Sequence, residues 1–209
     1  MKFSPMDGRK RLAQLAPVVL LLALAACDGG EKRGGNRAGK PETGPTTGIL
    51  TDAAVAGVGY VSSSGAAGTT DERGSYKYNH GDTVEFKLGS MILGKVKGAA
   101  IVTPIELAAD NPNRLKNILV LLQSLDVDGN PENGISIPAG AAAAVSAALD
   151  LDRDFAGFGS SAELQKAREA GGIAGPAKAL EQAGAHFLSQ GMSLLSTDIW
   201  VSYDDTMAV

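Results

Sequence analysis

Between Gly48 and Val102 the chain is written in short apolar alternations, each closed by glycine or by an Asn/Asp turn. That pattern restricts the fold more than any other feature. Val55-Ala56-Gly57-Val58-Gly59-Tyr60-Val61 sets apolar residues against small ones. Ser75-Tyr76-Lys77-Tyr78 alternates again, and Thr83–Leu88 puts Val84, Phe86 and Leu88 on one face. Met91–Val96 and Ala99–Val102 follow, with Ile49-Leu50-Thr51 before them. Period-two segments of this length, with turns at Asp71–Gly74 and Asn79–Asp82, predict half-buried antiparallel strands in a small sandwich. Glycine is abundant, 27 of 209 residues, but shows no Gly-X-Y period, so a collagen-like rod is excluded.

The second half changes period. After Asn111-Pro112-Asn113, with Asn113 as the expected N-cap, Leu115, Ile118, Leu119, Leu122 and Leu125 recur at helical spacing. Arg114, Lys116, Asn117 and Gln123 are expected on the solvent side. Ala139–Leu149 is an Ala-rich helix, and Asp150–Asp154 is read as its solvated end. Ser160 with Glu163 forms a capping box for a helix closing at Gly171-Gly172. Pro176 opens another helix through about Gln190, with Leu180, Ala183, Phe187 and Leu188 inward and His186 at the boundary. Ile199–Tyr203 is expected to be a short terminal strand. The fold class is therefore α+β: a small antiparallel β-sandwich over residues 48–106, then three to four short helices over 107–209.

One stretch of that half looks chemical. In Asp126-Val127-Asp128-Gly129-Asn130-Pro131-Glu132-Asn133-Gly134, Asp126, Asp128 and Asn130 stand at i, i+2 and i+4, as in the first half of an EF-hand loop. A full EF-hand is rejected: glycine falls at position 4, Pro131 takes position 6, and Ile137 replaces the bidentate Glu at position 12. Two readings stay open. Either the Asp and Asn side chains shape a turn by bonding to backbone, or Asp126, Asp128, Asn130, Glu132 and Asn133 bind Ca²⁺.

The N-terminus reads as an address. Lys2, Arg9, Lys10 and Arg11 precede a charge-free apolar run, Leu15 to Ala26. As a helix that run is roughly 18 Å long, short of the ~30 Å hydrocarbon core, so it is no permanent span. It ends in Leu24-Ala25-Ala26-Cys27. This tetrapeptide resembles the lipobox of bacterial lipoproteins. The resemblance implies cleavage between Ala26 and Cys27, acylation of Cys27 with diacylglycerol and palmitate-type chains, and anchoring in a bilayer of the cell envelope. Asp28 resembles the inner-membrane retention signal of enteric lipoproteins, which makes it a sorting residue; inner against outer membrane stays open.

Residues 27–47 then carry the lipidated cysteine and a Gly/Pro/charge-rich tether that cannot bury enough area to order itself. As a coil it spans roughly 25 Å. Loss of residues 1–26 removes four basic side chains and one acid, leaving 15 basic against 22 acidic, a net charge of −7. A body this acidic argues against a nucleic-acid partner.

The run "G-T-T-D-x-x-G-x-Y-x-Y" followed by "G-D-x-V-x-F-x-L-G" resembles the carboxypeptidase-regulatory, transthyretin-like sandwiches. It is also similar to adhesin-like bacterial surface lipoproteins, which carry a stretch like that of Asn117 to Ile135. These resemblances imply a non-catalytic spacer or binding module. The residues agree: His80 and Asp82 share one tight turn with no nucleophile beside them, and no phosphate loop, nucleophile elbow or HExxH occurs. The single cysteine makes no internal disulfide. The expected protein is thus not an enzyme but an envelope lipoprotein for binding or adhesion, with a protein or glycan partner. The alternative is a periplasmic inhibitor or immunity lipoprotein that blocks a lytic enzyme with Ser62–Thr70 or the acidic loop.

Overall fold

The structure, a computed structural model, describes residues 42–192. The leader, Cys27, Asp28, most of the tether and the expected strand at 199–203 lie outside the described residues.

Strands form where the alternation predicts them. β1 (Pro45–Leu50) begins inside the stretch read as tether and pairs antiparallel with β5 (Ser75–Asn79) and parallel with β8 (Ile101–Val102). A second sheet has the order β4 (Ala67–Thr69), β3 (Gly59–Ser62), β6 (Thr83–Leu88), β7 (Met91–Lys97), all antiparallel. The two sheets meet through aromatic rings. Tyr76 of β5 lies edge-on to Tyr60 of β3 at 6.0 Å and to Phe86 of β6 at 4.9 Å, geometry that adds about 0.5–1.5 kcal/mol per pair beyond burial.

The expected single strand over 55–61 is broken in two. Gly57 takes φ +90°, and a Cβ there would lie 2.4 Å from the Ile137 carbonyl oxygen. The chain turns at this point. β2 (Val55–Ala56) therefore leaves the sandwich and pairs in parallel with β9 (Ile135–Ser136), directly after the acidic loop. The Asp71–Gly74 turn is built as its sequence implies. The Asp71 carboxylate accepts from the Arg73 and Ser75 amides at 2.9 and 2.8 Å, and Gly74 takes φ +72° where a Cβ would meet the Leu50 carbonyl.

The helical half shares one continuous apolar core with the strands. α1 (Pro104–Ala108) carries a capping box that the sequence reading missed: Thr103 Oγ1 accepts from the Ile105 amide, and Glu106 accepts from the Thr103 amide at 2.7 Å. α2 (Pro112–Ser124) is capped by Asn111, not Asn113. Pro112 lacks an N–H and suits the first helical position, so the cap moves one residue before it. Asn111 Oδ1 then accepts from the Asn113 and Arg114 amides.

α2 is also buried all round from Asn117 to Ser124, so Asn117 and Gln123 are inside rather than on a solvent face. The reason is that chain segments from later in the sequence bond to them. Asn117 donates to the carbonyls of Leu151 and Arg153 at 2.8 and 2.9 Å.

Other helix ends shift for similar reasons. α3 (Ala139–Ala144) stops short of Leu149 because Val145 turns extended and gives its carbonyl to the Ser90 amide. Asp150–Asp154 is not a helix end. Asp152 accepts both Nε and Nη2 of Arg114 at 2.8 Å, and Asp154 caps the Ala156 amide. α4 (Ala162–Ala170) is capped by Ser161, not Ser160, and closes at Gly171-Gly172. Pro176 starts no helix. The buried Arg168 takes the carbonyls of Ala174 and Gly175 at 3.0 and 2.7 Å, Gly175 turns at φ +76°, the Lys178 amide donates to Ser124 Oγ, and α5 covers residues 180–192. Ala183 is buried as expected and Leu180 and Phe187 are half-buried, but His186 is buried rather than at the boundary and Leu188 is exposed. No helix among the described residues is long and apolar enough to cross a membrane.

Candidate functional site

The acidic loop lies between the C-terminus of α2 and β9, and three parts of the molecule set its shape. Asp126 is fully buried, and its Oδ1 accepts from the Ser136 amide at 2.9 Å. Asp128 accepts from the Asn130 amide and from Asn133 Nδ2, both at 2.9 Å. On the far side Lys178 Nζ donates to the Gly129 carbonyl at 2.6 Å. Glu132 points away from the aspartates and accepts from His186 Nδ1 of α5 at 3.1 Å. The five oxygen-bearing residues expected around one cation are therefore split. Asp126, Asp128 and Asn133 share a cavity of about 360 Å³ with Glu72, Gly134 and Ser136, whereas Glu132 belongs to a second one with Gln123 and His186. Asn130 lines neither cavity and contributes its backbone amide to Asp128. Among the described residues no three His, Cys, Asp or Glu side chains converge to hold a metal ion.

The electrostatics of the pair are unequal. Burial, together with the facing Asp128, pushes the Asp126 carboxyl above the usual range. Hydrogen bonds from Asn133 and the Asn130 amide hold Asp128 below it. Asp126 Oδ2 is buried with no hydrogen-bond partner.

Behind the loop runs a polar seam that sequence reasoning missed. Asp52, in the turn after β1, is buried; its Oδ2 accepts from Gln123 Nε2 at 2.9 Å while Oδ1 has no partner. Gln123 Nε2 also donates to the Ala183 carbonyl at 3.1 Å. His186 Nε2 is likewise buried and unpartnered. Desolvation pushes Asp52 up to about 7, against the Gln123 hydrogen bond and the attraction of His186. One signal could have found it. Asp52 and Gln123 are polar residues set inside apolar runs, and such residues are buried with partners more often than they are turned out.

The remaining acidic candidates serve their own turns. Asp82 accepts from the hydroxyls of Ser63 and Ser64 and from the Asn79 amide, which hold it down to about 2. His80 lies 3.5 Å from Glu42 at the surface.

No protein family, curated protein or solved structure matches this chain. Its function rests on its own residues. Cys27, Ala26 and Asp28, which carry the lipidation reading, lie outside the described residues.

Proposed function

We propose that the chain is a lipid-anchored lipoprotein of the bacterial cell envelope, acting as a non-catalytic binding or adhesion module. The observation that carries this reading is Leu24-Ala25-Ala26-Cys27 at the end of a basic, then apolar, leader. Cleavage before Cys27 exposes an amino terminus beside the thiol. Several acyl chains, at ~0.8 kcal/mol per buried methylene, hold a body of net charge −7 at a membrane whose lipids would otherwise repel it.

A binding role is supported by how the carboxylates are used. Asp71, Asp82 and Asp154 accept from amides of their own turns, and Asp152 is engaged by Arg114. These groups build rigid loops on a sandwich, the arrangement by which a scaffold presents a surface to a protein or glycan.

The test is metabolic labelling with a palmitate analogue. Label on the wild-type chain, lost in Cys27→Ser together with membrane association, is the expected result. Equal labelling of the variant overturns the reading. Recovery of a single lytic enzyme on the purified protein would replace adhesion by inhibition.

A further inference from the structure

The acidic loop holds one group whose chemistry is incomplete. Asp126 is 1 % exposed, and only one of its two oxygens has a partner. An ionised carboxylate buried in this way is expensive unless a proton or a cation completes it. A second acid, Asp128, lines the same cavity and adds to that cost. Asp128 does not need a cation for itself, since Asn133 Nδ2 and the Asn130 amide already donate to it. The demand sits on Asp126.

The surroundings supply oxygen and no nitrogen or sulfur ligand. The cavity beside the pair holds about 360 Å³ and is lined by Glu72, Asn133 and Ser136 as well as the two aspartates. Asp128 and Asn133 are exposed, so the outer wall can yield while Asp126 stays fixed by the Ser136 amide. On its other side Asp126 lines a second cavity with Lys178 and Arg168, whose donors are held by the carbonyls of Gly129 and of Ser124, Ala174 and Gly175.

We infer that Asp126 and Asp128 bind a single hard divalent cation, Ca²⁺, between their carboxylates, with the Asn133 side-chain oxygen and water completing its shell and Glu72 across the cavity. Oxygen-only ligands favour Ca²⁺ over the softer transition metals. Two carboxylates place the affinity in the range of extracellular modules, Kd about 10⁻⁴–10⁻³ M. Glu132, engaged by His186, is not a ligand. The site is independent of lipidation and stands whether or not Cys27 is acylated.

The experiment uses the full chain, washed with chelator, with CaCl₂ as probe. At ~10 mM CaCl₂ the melting temperature is expected to rise by about 2–5 °C, with saturable heat in calorimetry and a weaker response to MgCl₂. Asp126→Asn and Asp128→Asn should each lose the response, and Glu132→Gln should keep it. Asp126→Asn removes the unpaired charge, so it is expected to fold and to match or exceed the wild-type melting temperature without calcium. No heat and no shift in the wild type at ~10 mM CaCl₂ overturns the proposal and leaves a shared proton between the aspartates. So does a calcium response that survives Asp126→Asn, or one that Glu132→Gln abolishes.

Discussion

The turn between β5 and β6 and the turn after β1 each bury one aspartate, and the two carboxyls end in opposite states. Asp82 closes its turn with three donors, the Ser63 and Ser64 hydroxyls and the Asn79 amide, and titrates at about 2. Asp52 meets one donor, Gln123, leaves an oxygen bare, and titrates at about 7. Desolvation dominates at Asp52, whereas at Asp82 the donors outweigh it. The donors also come from different places. Those of Asp82 come from its own hairpin and from Ser63 and Ser64 just beyond β3, near in space through strand pairing. The one donor of Asp52 comes from a helix about seventy residues away, with His186 behind it. Strand turns satisfy their acids locally; the packing of helix on sheet strands one.

That contrast can be broken most severely at Asp52. Its folded value lies above its unfolded value of 3.8, so the neutral form is the one folding favours. Stability is full below about pH 4 and is lost as pH rises toward 7, by up to about 4 kcal/mol. Asp52→Asn should remove that loss: more stable than wild type in urea at pH 8, equal to it at pH 4. A less stable variant at pH 8 would mean that an ion pair with His186, not desolvation, governs the seam.

Asp82 should behave with the reverse sign. Its folded value lies below its unfolded one, so its contribution is present above about pH 4 and fades as pH falls through 2. Asp82→Asn is expected to lower the urea midpoint at pH 7, with the difference from wild type closing at pH 2. A gap that persists there would assign the cost to packing of the turn rather than to its charge.

Asn117 extends the comparison to a neutral group. It sits in α2 with both amide bonds given to the loop at Leu151 and Arg153. Asn117→Leu leaves two carbonyls without their donor and should cost about 1–3 kcal/mol at every pH. A pH-dependent loss would tie it to the Asp52 seam instead.

The smallest effect is expected at the surface. Arg114 and Asp152 form a bidentate pair that is partly exposed, and a double-mutant cycle should return about 0–1 kcal/mol, shrinking in salt.

Much of the strand half was legible in the chain itself. The alternation of Ser75–Asn79, Thr83–Leu88 and Met91–Lys97, the Asp71–Gly74 turn and the fold class follow from period two and turn chemistry, which act over a few residues. The same holds for the Asp126–Gly134 turn, whose aspartates bond to nearby amides as Asn and Asp do.

Tertiary structure decided the rest. Gly57 splits a strand that reads as continuous because Ile137 crowds it from across the fold. The helix expected at Pro176 starts later, where Arg168 ties down the carbonyls of Ala174 and Gly175 and Ser124 takes the Lys178 amide. Glu132 leaves its neighbours for His186, fifty-four residues on. Local rules state which groups need partners. Only the folded chain decides whether a partner arrives, and at Asp52 Oδ1 and Asp126 Oδ2 none does.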